Sequence, residues 1–255
     1  RAQGADGDVM GEIREEEADR GGGRSSCGGG RTCGQWQRPG LGEGAAIAGG
    51  WPRPRDGMCP RVCRGGNSLG PRMLNAHRAE QQVSALPAEL TSTSARTAEH
   101  VQSAAAELLI EEGTLRGGEF SFVVAVENQA GHKFPTAYPS RRAWLNVTVT
   151  DARGHIVFVS GAPAEDGSII GNDNDQDGIL YEPHHLEIRD PTQVQIYEPI
   201  LGDRDGEVTT GLLLATSYLK DNRLLPWGFD KETAGPWIAV HGGAQGDPDF
   251  TGGGD

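Results

Sequence analysis

The chain is poor in lysine, lacks an excess of positive charge and has no long apolar run. Lys133, Lys220 and Lys231 are its only lysines, and the formal net charge is −13 at pH 7. Because binding to phosphate groups requires a basic face, this charge argues against nucleic acids and anionic membranes as main partners. No window approaches the roughly 20 apolar residues of a membrane-spanning helix. The sequence therefore predicts a chain without a membrane-spanning segment.

The first part of the chain lacks the apolar residues of a folded core. Nearly all Val, Ile, Leu and Phe residues lie beyond Met73, whereas the preceding stretch is dominated by Gly, Arg, Ala, Glu and Pro. Such a composition buries too little apolar surface to offset the entropy of folding. We therefore expect residues 1–72 to be a disordered or non-native low-complexity leader. With neither an initiator Met nor a signal peptide at its start, the chain is expected to be a fragment or a processed product.

The cysteines do not have the spacing of a known cofactor site. Covalent c-type haem attachment commonly uses two cysteines two residues apart, with a histidine directly after them. Neither the Cys27–Cys33 pair nor the Cys59–Cys63 pair has that spacing, and Arg64 follows the last cysteine. Structural zinc is also disfavoured, since no CxxC or paired histidines accompany these thiols. We interpret the cysteines as incidental.

Helical periodicity begins at Met73. The stretch from Met73 to Val83 can form a short amphipathic helix, which Pro87 interrupts. A second helix is predicted from Ser92 to Glu112, with Gly113 after its end. Residues 73–115 are thus expected to form a helical arm. The apolar stripe of the second helix would consist of Val101, Ala105, Leu108 and Leu109.

The period then changes to two, which is typical of strands. Phe120 to Val126 and Leu145 to Val149 alternate, and the turn at 151–154 leads into a strand from His155 to Val159. Short strands between Gly, Asp and Pro turns predict a mainly β fold, with a β-sandwich-like module over residues 116–255 that is expected to be truncated at its C-terminus. Further strands are predicted at Val194–Ile200, Val208–Leu213 and Trp237–Val240.

One long motif resembles a known family. Residues 128–142 read NQAGHKFPTAYPSRR, which resembles the NxxGHxxPTxxPxRR segment of bacterial multihaem cytochromes c of the c-552/554-like group. The likeness extends from about Met73 to the end of the chain. It continues through residues 144–145, 171–175, 181–184, 195–198, 209–213, 218–226 and 228–231.

The resemblance implies an electron-transfer protein in the periplasm or outside the cell. In that family an N-terminal region with CxxCH motifs would carry haem c, and a C-terminal β-rich module would pack against it. This chain contains no CxxCH motif, so it would be the non-haem-attaching module of such a protein. Its implied partner is the haem-bearing region or a redox partner protein.

Two histidines are candidate haem ligands. A neutral imidazole is a good axial ligand, and His132 lies in a Gly- and Pro-rich turn that can hold the ring outward. The alternative is that His132 binds backbone inside this loop, braced by Arg141 or Arg142. His184, next to His185, is the second candidate. Neighbouring strand residues face opposite sides, so at most one of the two could bind a given ion, and a surface or packing role is the alternative.

A run of alternating acids predicts a calcium site. Asp173, Asp175 and Asp177, followed by Gly178, match the first half of a calcium loop, and Glu182 can replace the missing final glutamate. The alternative interpretation is an acidic solvated turn, which Asn and Asp favour.

No local signature of a catalytic nucleophile or a phosphate-binding loop is present, so the chain is not expected to be an enzyme. The alternative to a cytochrome module is a stand-alone β-sandwich module, stabilised by calcium, that binds a protein or a carbohydrate. Trp227 and Trp237 could serve such a surface.

Overall fold

Short antiparallel sheets form most of the regular structure. The computed structural model describes residues 68–255, apart from 112 and 137–138, together with the backbone of residues 9–15. Its helices are α1 Leu69–Ala76, α2 Pro87–Ala104 and α3 Asp173–Gln176. Its strands are β1 Val9–Glu15, β2 Ala106–Ile110, β3 Thr114–Arg116, β4 Glu119–Ser121, β5 Val124–Asn128, β6 Ala143–Thr150, β7 Ile156–Ser160, β8 Ile196–Tyr197, β9 Pro199–Gly202 and β10 Ser217–Asp221. The prediction of a mainly β fold is confirmed at this level.

Strand β6 is the centre of the largest sheet. It pairs with β1, β7 and β8, all antiparallel. One face of the strand, with Leu145 and Val147, packs in the larger apolar cluster, and Trp144 on the other face packs with Val194 in a smaller one. The predicted hairpin with β7 is present, and the Asp151 carboxylate accepts hydrogen bonds from two main-chain N–H groups of its turn.

Strand β1 corrects the prediction for the leader. Residues 9–15 were expected to be disordered, but their backbone pairs along the edge of β6, from Val9 opposite Val149 to Glu15 opposite Ala143. An exposed strand edge offers a ladder of N–H and C=O groups to any segment that reaches it, whatever that segment's composition. Helix α1 also begins before Met73. The rest of the leader, including all four cysteines, lies outside the described residues.

The helical arm is shorter than predicted. Helix α2 begins at Pro87, because proline at the first helical position lacks only an N–H that would have no partner there. It ends at Ala104, and Leu108 lies in β2 instead, where it pairs with Val126 of β5. The prediction of a helix through Glu112 is therefore wrong, because pairing with β5 outweighs the local helical preference. In the described residues, no helix is long and apolar enough to cross a membrane.

Strand predictions beyond residue 200 were the least accurate. Val208 makes only a single bridge to Gly202, and Trp237 lies in a turn. Strand β10 was not predicted, although it pairs with β9 around a bulge. The bulge shifts the alternation of buried and exposed residues that a strand prediction depends on.

Candidate functional site

His132 is an exposed residue of a loop that buried side chains hold in place. The buried Asn128 side chain donates hydrogen bonds to the carbonyls of His132 and Leu224, at 2.8 and 2.9 Å. The side-chain oxygen Oδ1 of Asn128 accepts from the N–H of Ala130. Phe134 exchanges two main-chain hydrogen bonds with Leu224. The loop is thus fixed at both ends by buried groups.

A cluster of charged side chains holds the residue next to His132. The Lys133 ammonium lies 2.7 Å from the Asp221 carboxylate, which also accepts two hydrogen bonds from Arg223. Burial opposes the charge on Asp221, but Arg223 and Lys133 outweigh it and lower the pKa of this carboxyl. Lys133 also donates to the carbonyl of Ala239. The loop is therefore joined to both β10 and the segment that follows it.

The ring of His132 has the tautomer that suits a metal ligand. Its Nδ1 lies 3.0 Å from the Lys133 carbonyl oxygen, which can only accept, so Nδ1 carries the proton. The lone pair is then on Nε2, and the residue is exposed. Arg141 donates to the carbonyl of Thr136 in the same loop, and Arg142 binds Asp175.

His184, the second candidate ligand, is buried in a polar cluster. Its side chain is fully buried, and Nε2 lies 2.9 Å from Oδ2 of Asp247. On the other side, Nδ1 lies 3.0 Å from the amide nitrogens of both Gln195 and Asn222. Phe250 packs edge-on against the ring.

Main-chain groups fix the orientation of both amides. Asn222 accepts from the N–H of Glu198 and donates to the carbonyl of Ile196, and Gln195 accepts from the N–H of His185. Both NH₂ groups therefore point at Nδ1 of His184, which must be an acceptor. The proton is on Nε2, which donates to Asp247.

This tautomer corrects the assignment of His184 as a haem ligand. A ligating histidine offers one nitrogen lone pair and donates from its other N–H. In His184 the only lone pair already accepts from two amides, and the ring is inaccessible. His184 therefore organises the interior, and this geometry does not favour it as a haem ligand.

Asp255 completes the cluster, together with Tyr197. The Tyr197 hydroxyl donates to Oδ2 of Asp255 at 2.8 Å, and Gln195 donates to the same oxygen. Burial raises the pKa of Tyr197 and also that of Asp255. His184, Asp247 and Asp255 each offer an atom within 4.8 Å of the others. The two aspartates could not be identified from the sequence, because no local spacing links them to His184.

The acids of the predicted calcium loop are not brought together. Asp175 binds Arg142 at 2.7 Å and also accepts from the N–H of Ile169, and Glu182 binds His185 at 2.6 Å. Asp173 lies in the first turn of α3, and Asp177 caps the N–H of Ile179. Across the described ranges, these four acids form no group of three close ligands. Calcium binding by this loop stays a prediction.

A buried ion pair lies near the polar cluster around His184. The Lys220 ammonium, only 1% exposed, is 3.0 Å from the Glu198 carboxylate. It also donates to the carbonyl of Glu182 at 2.8 Å. Burial lowers the pKa of Lys220, and the charge of Glu198 opposes this effect. Lys220 thus ties β10 to two other segments.

The segments that carry the family resemblance meet in the structure. Asn128 and Lys133 contact Leu224 and Asp221, and Arg142 contacts Asp175. Comparisons of the chain with protein-family models, curated proteins and solved structures gave no match. The geometry and chemistry of the described residues therefore carry the functional argument.

Proposed function

We propose that this chain is the non-haem-attaching module of a multihaem c-type cytochrome. It would cover a haem that another segment or a redox partner protein carries, and it would give the iron His132 as an axial ligand. Its place would be the periplasm or the cell exterior. In this proposal the chain takes part in electron transfer without attaching haem c itself.

The observation that supports the proposal most is the contrast between His132 and His184. His132 is exposed and donates from Nδ1 to a carbonyl, which leaves Nε2 as a lone pair directed away from that bond. Haem iron requires this state of its axial histidine. The anchored loop holds the imidazole in place before binding, which reduces the entropy lost when it ligates.

We also propose that the sheets form a β-sandwich. One face of strand β6 is buried through Leu145, Val147 and Val149, whereas Asn146, Thr148 and Thr150 on the other face are only partly buried. One buried face and one more polar face is expected of a strand in a β-sandwich. A module of this kind would supply the rigid support that an axial ligand needs.

The test uses a haem c peptide whose iron has one histidine ligand and one open position. Titrating the chain with this peptide is expected to produce the optical spectrum of six-coordinate low-spin haem. His132→Ala should weaken this binding by at least about tenfold, equivalent to ~1.4 kcal/mol. The measurement is the Soret band at increasing protein concentration.

His155→Ala is the matched control. His155 also lies on a turn, with a side chain 72% exposed, and it binds the Asp151 carboxylate through Nδ1. No buried side chain anchors its turn in the way that Asn128 anchors the His132 loop. Binding that is unchanged in His132→Ala, or that is lost equally in His155→Ala, would contradict the proposal.

A second candidate function is that of a calcium-stabilised interaction or carbohydrate-binding module. The specific observation is that Trp227 and Trp237 are 70% and 89% exposed. Exposed indole rings can stack on the apolar faces of sugars. The ring of Trp227 lies over Gly253, where an added Cβ would be 3.5 Å from it.

Tryptophan fluorescence would distinguish this second function. Soluble oligosaccharides should shift the emission of the wild-type chain, and Trp237→Ala should remove most of the shift. A chain that binds the haem peptide and shows no such shift would favour the cytochrome proposal.

A further inference from the structure

Two carboxylates lie near one N–H group in the buried cluster around His184, and only one of them is hydrogen-bonded to it. The Nε2–H of His184 donates to Asp247, and Oδ1 of Asp255 lies 4.0 Å from the same nitrogen. The ring cannot take a second proton at Nδ1, because the NH₂ groups of Gln195 and Asn222 both point at this atom. A neutral imidazole beside two ionised carboxylates leaves buried negative charge uncompensated, which is costly. The ammonium of Lys231 donates to the main-chain carbonyl of Asp247 and forms an ion pair with neither carboxylate. The two carboxylates therefore require one more positive charge.

A metal ion does not fit this requirement. It would need the lone pair of Nε2, and the ring proton would then move to Nδ1. That proton would meet the amides of Gln195 and Asn222, and turning either amide would break its main-chain hydrogen bonds. A proton on a carboxyl group meets the requirement without rearrangement. Asp255 is the better site for it, because both oxygens of Asp247 accept hydrogen bonds, from His184 and from the N–H of Asp249. In Asp255, Gln195 and Tyr197 both donate to Oδ2, which leaves Oδ1 to carry the proton.

Asp255 belongs to a segment that forms main-chain hydrogen bonds with β5. This segment, residues 247–255, is called the C-terminal strap below. Asp255 exchanges two main-chain hydrogen bonds with Val126 of β5, and the N–H of Asn128 donates to Gly253 at 2.7 Å. Phe250 is fully buried against His184. The strap thus adds to the edge of β5 that β2 leaves open.

We propose that the C-terminal strap is a pH-sensitive latch, closed when Asp255 carries a proton and released from β5 when Asp255 ionises beside Asp247. The groups that face Asp255 are His184, Asp247 and the hydroxyl of Tyr197, with the neutral amide of Gln195. Release would also loosen Asn128, which holds the His132 loop. The latch is nonetheless independent of any haem.

The sign of the pH dependence follows from the closed state. Burial raises the pKa of Asp255, so protons bind the closed strap more tightly than the open one. Opening should increase by up to about tenfold per pH unit from pH ~4 to the raised pKa, and then level off. Burial opposes ionisation of Asp247, but His184 and the N–H of Asp249 lower its pKa overall. Asp247 therefore acts mainly below pH ~4, outside this range.

Amide hydrogen exchange from pH 4 to 8, corrected for intrinsic rates, measures the opening. The amides of Val126, Asn128 and Asp255 should lose protection as pH rises, by at least about tenfold in total. The amide of Leu145, which donates to the carbonyl of Gln195, is the internal reference and should keep its protection. Asp255→Asn, which mimics the protonated carboxyl, should give a flat profile. Asp249→Asn, at an exposed acid of the same strap, should retain the rise.

Tyr197→Phe provides a second variant if Asp255→Asn does not fold. The Tyr197 hydroxyl favours the ionised form of Asp255, so its removal should move the loss of protection to higher pH. The inference is overturned if the rise persists in Asp255→Asn or does not move in Tyr197→Phe. It is also overturned if Zn²⁺, Mn²⁺ or Ca²⁺ protects these amides in the wild-type chain but not in Asp255→Asn, because the missing charge would then be a metal ion.

Discussion

Replacing Lys220 by methionine is expected to lower the free energy of unfolding by about 3–5 kcal/mol. Lys220 and Glu198 are 1% and 5% exposed, so the change would leave a buried carboxylate without a counter-charge. The carbonyl of Glu182 would lose a hydrogen bond as well. Because domains are stable by only about 5–15 kcal/mol, this is a large fraction of the total. Urea denaturation measures the loss.

The double variant Lys220→Met with Glu198→Leu separates the two contributions. Removing both charges should recover most of the lost stability, since a buried ion pair can often be replaced by apolar groups at little cost. Arg204→Met is the surface control, because the pair of Arg204 with Asp205 has side chains 85% and 68% exposed. If Lys220→Met were as stable as Arg204→Met, Lys220 would not be needed to balance a buried charge on Glu198.

Substituting alanine for Gly161 is expected to cost about 3–4 kcal/mol, the sum of a left-handed backbone penalty and overpacking. Gly161 follows β7 with φ of +69°. An added Cβ would lie 2.2 Å from the carbonyl oxygen of Leu145 and 2.9 Å from Val194. The backbone of Leu145 cannot move away without breaking its pairing with β1 and its hydrogen bond to the carbonyl of Gln195. Urea denaturation of the two proteins measures the difference.

Gly154→Ala is the matched control, before the start of β7, whereas Gly161 follows its end. Gly154 has φ of +80°, but an added Cβ would meet nothing within 4 Å. It should therefore lose only about 1 kcal/mol, from the backbone conformation alone. Equal losses at the two positions would mean that the contact of Gly161 with Leu145 does not limit the residue at this site.

Features that depend on neighbouring residues were predicted well. The β6–β7 hairpin follows from alternation in β6 and an apolar run in β7, on either side of a turn that Asp151 and Gly154 favour, and it lies where expected. His132 was identified because Gly and Pro residues around it make a local turn. Its tautomer also depends on a neighbour, because Nδ1 donates to the carbonyl of Lys133.

Features that depend on distant residues were not predicted. Helix α2 was extended over β2 because Leu108 suits a helix until β5 pairs with it. Asp247 lies 63 residues from His184 along the chain, and no spacing rule connects them. A buried aspartate and a solvated one look the same in a sequence, because only the fold decides which carboxylate loses its water.

The sequence by itself determined the mainly β character, the hairpin of β6 and β7, and His132 as a candidate ligand, because alternation and turn chemistry act over a few residues. Only the tertiary structure decided that His184 is sealed in the interior while His132 stays exposed. It did so by placing Gln195 and Asn222 on one side of the His184 ring and Asp247 on the other. These hydrogen bonds form only when three separate segments pack together, and they fix which nitrogen of the ring carries the proton.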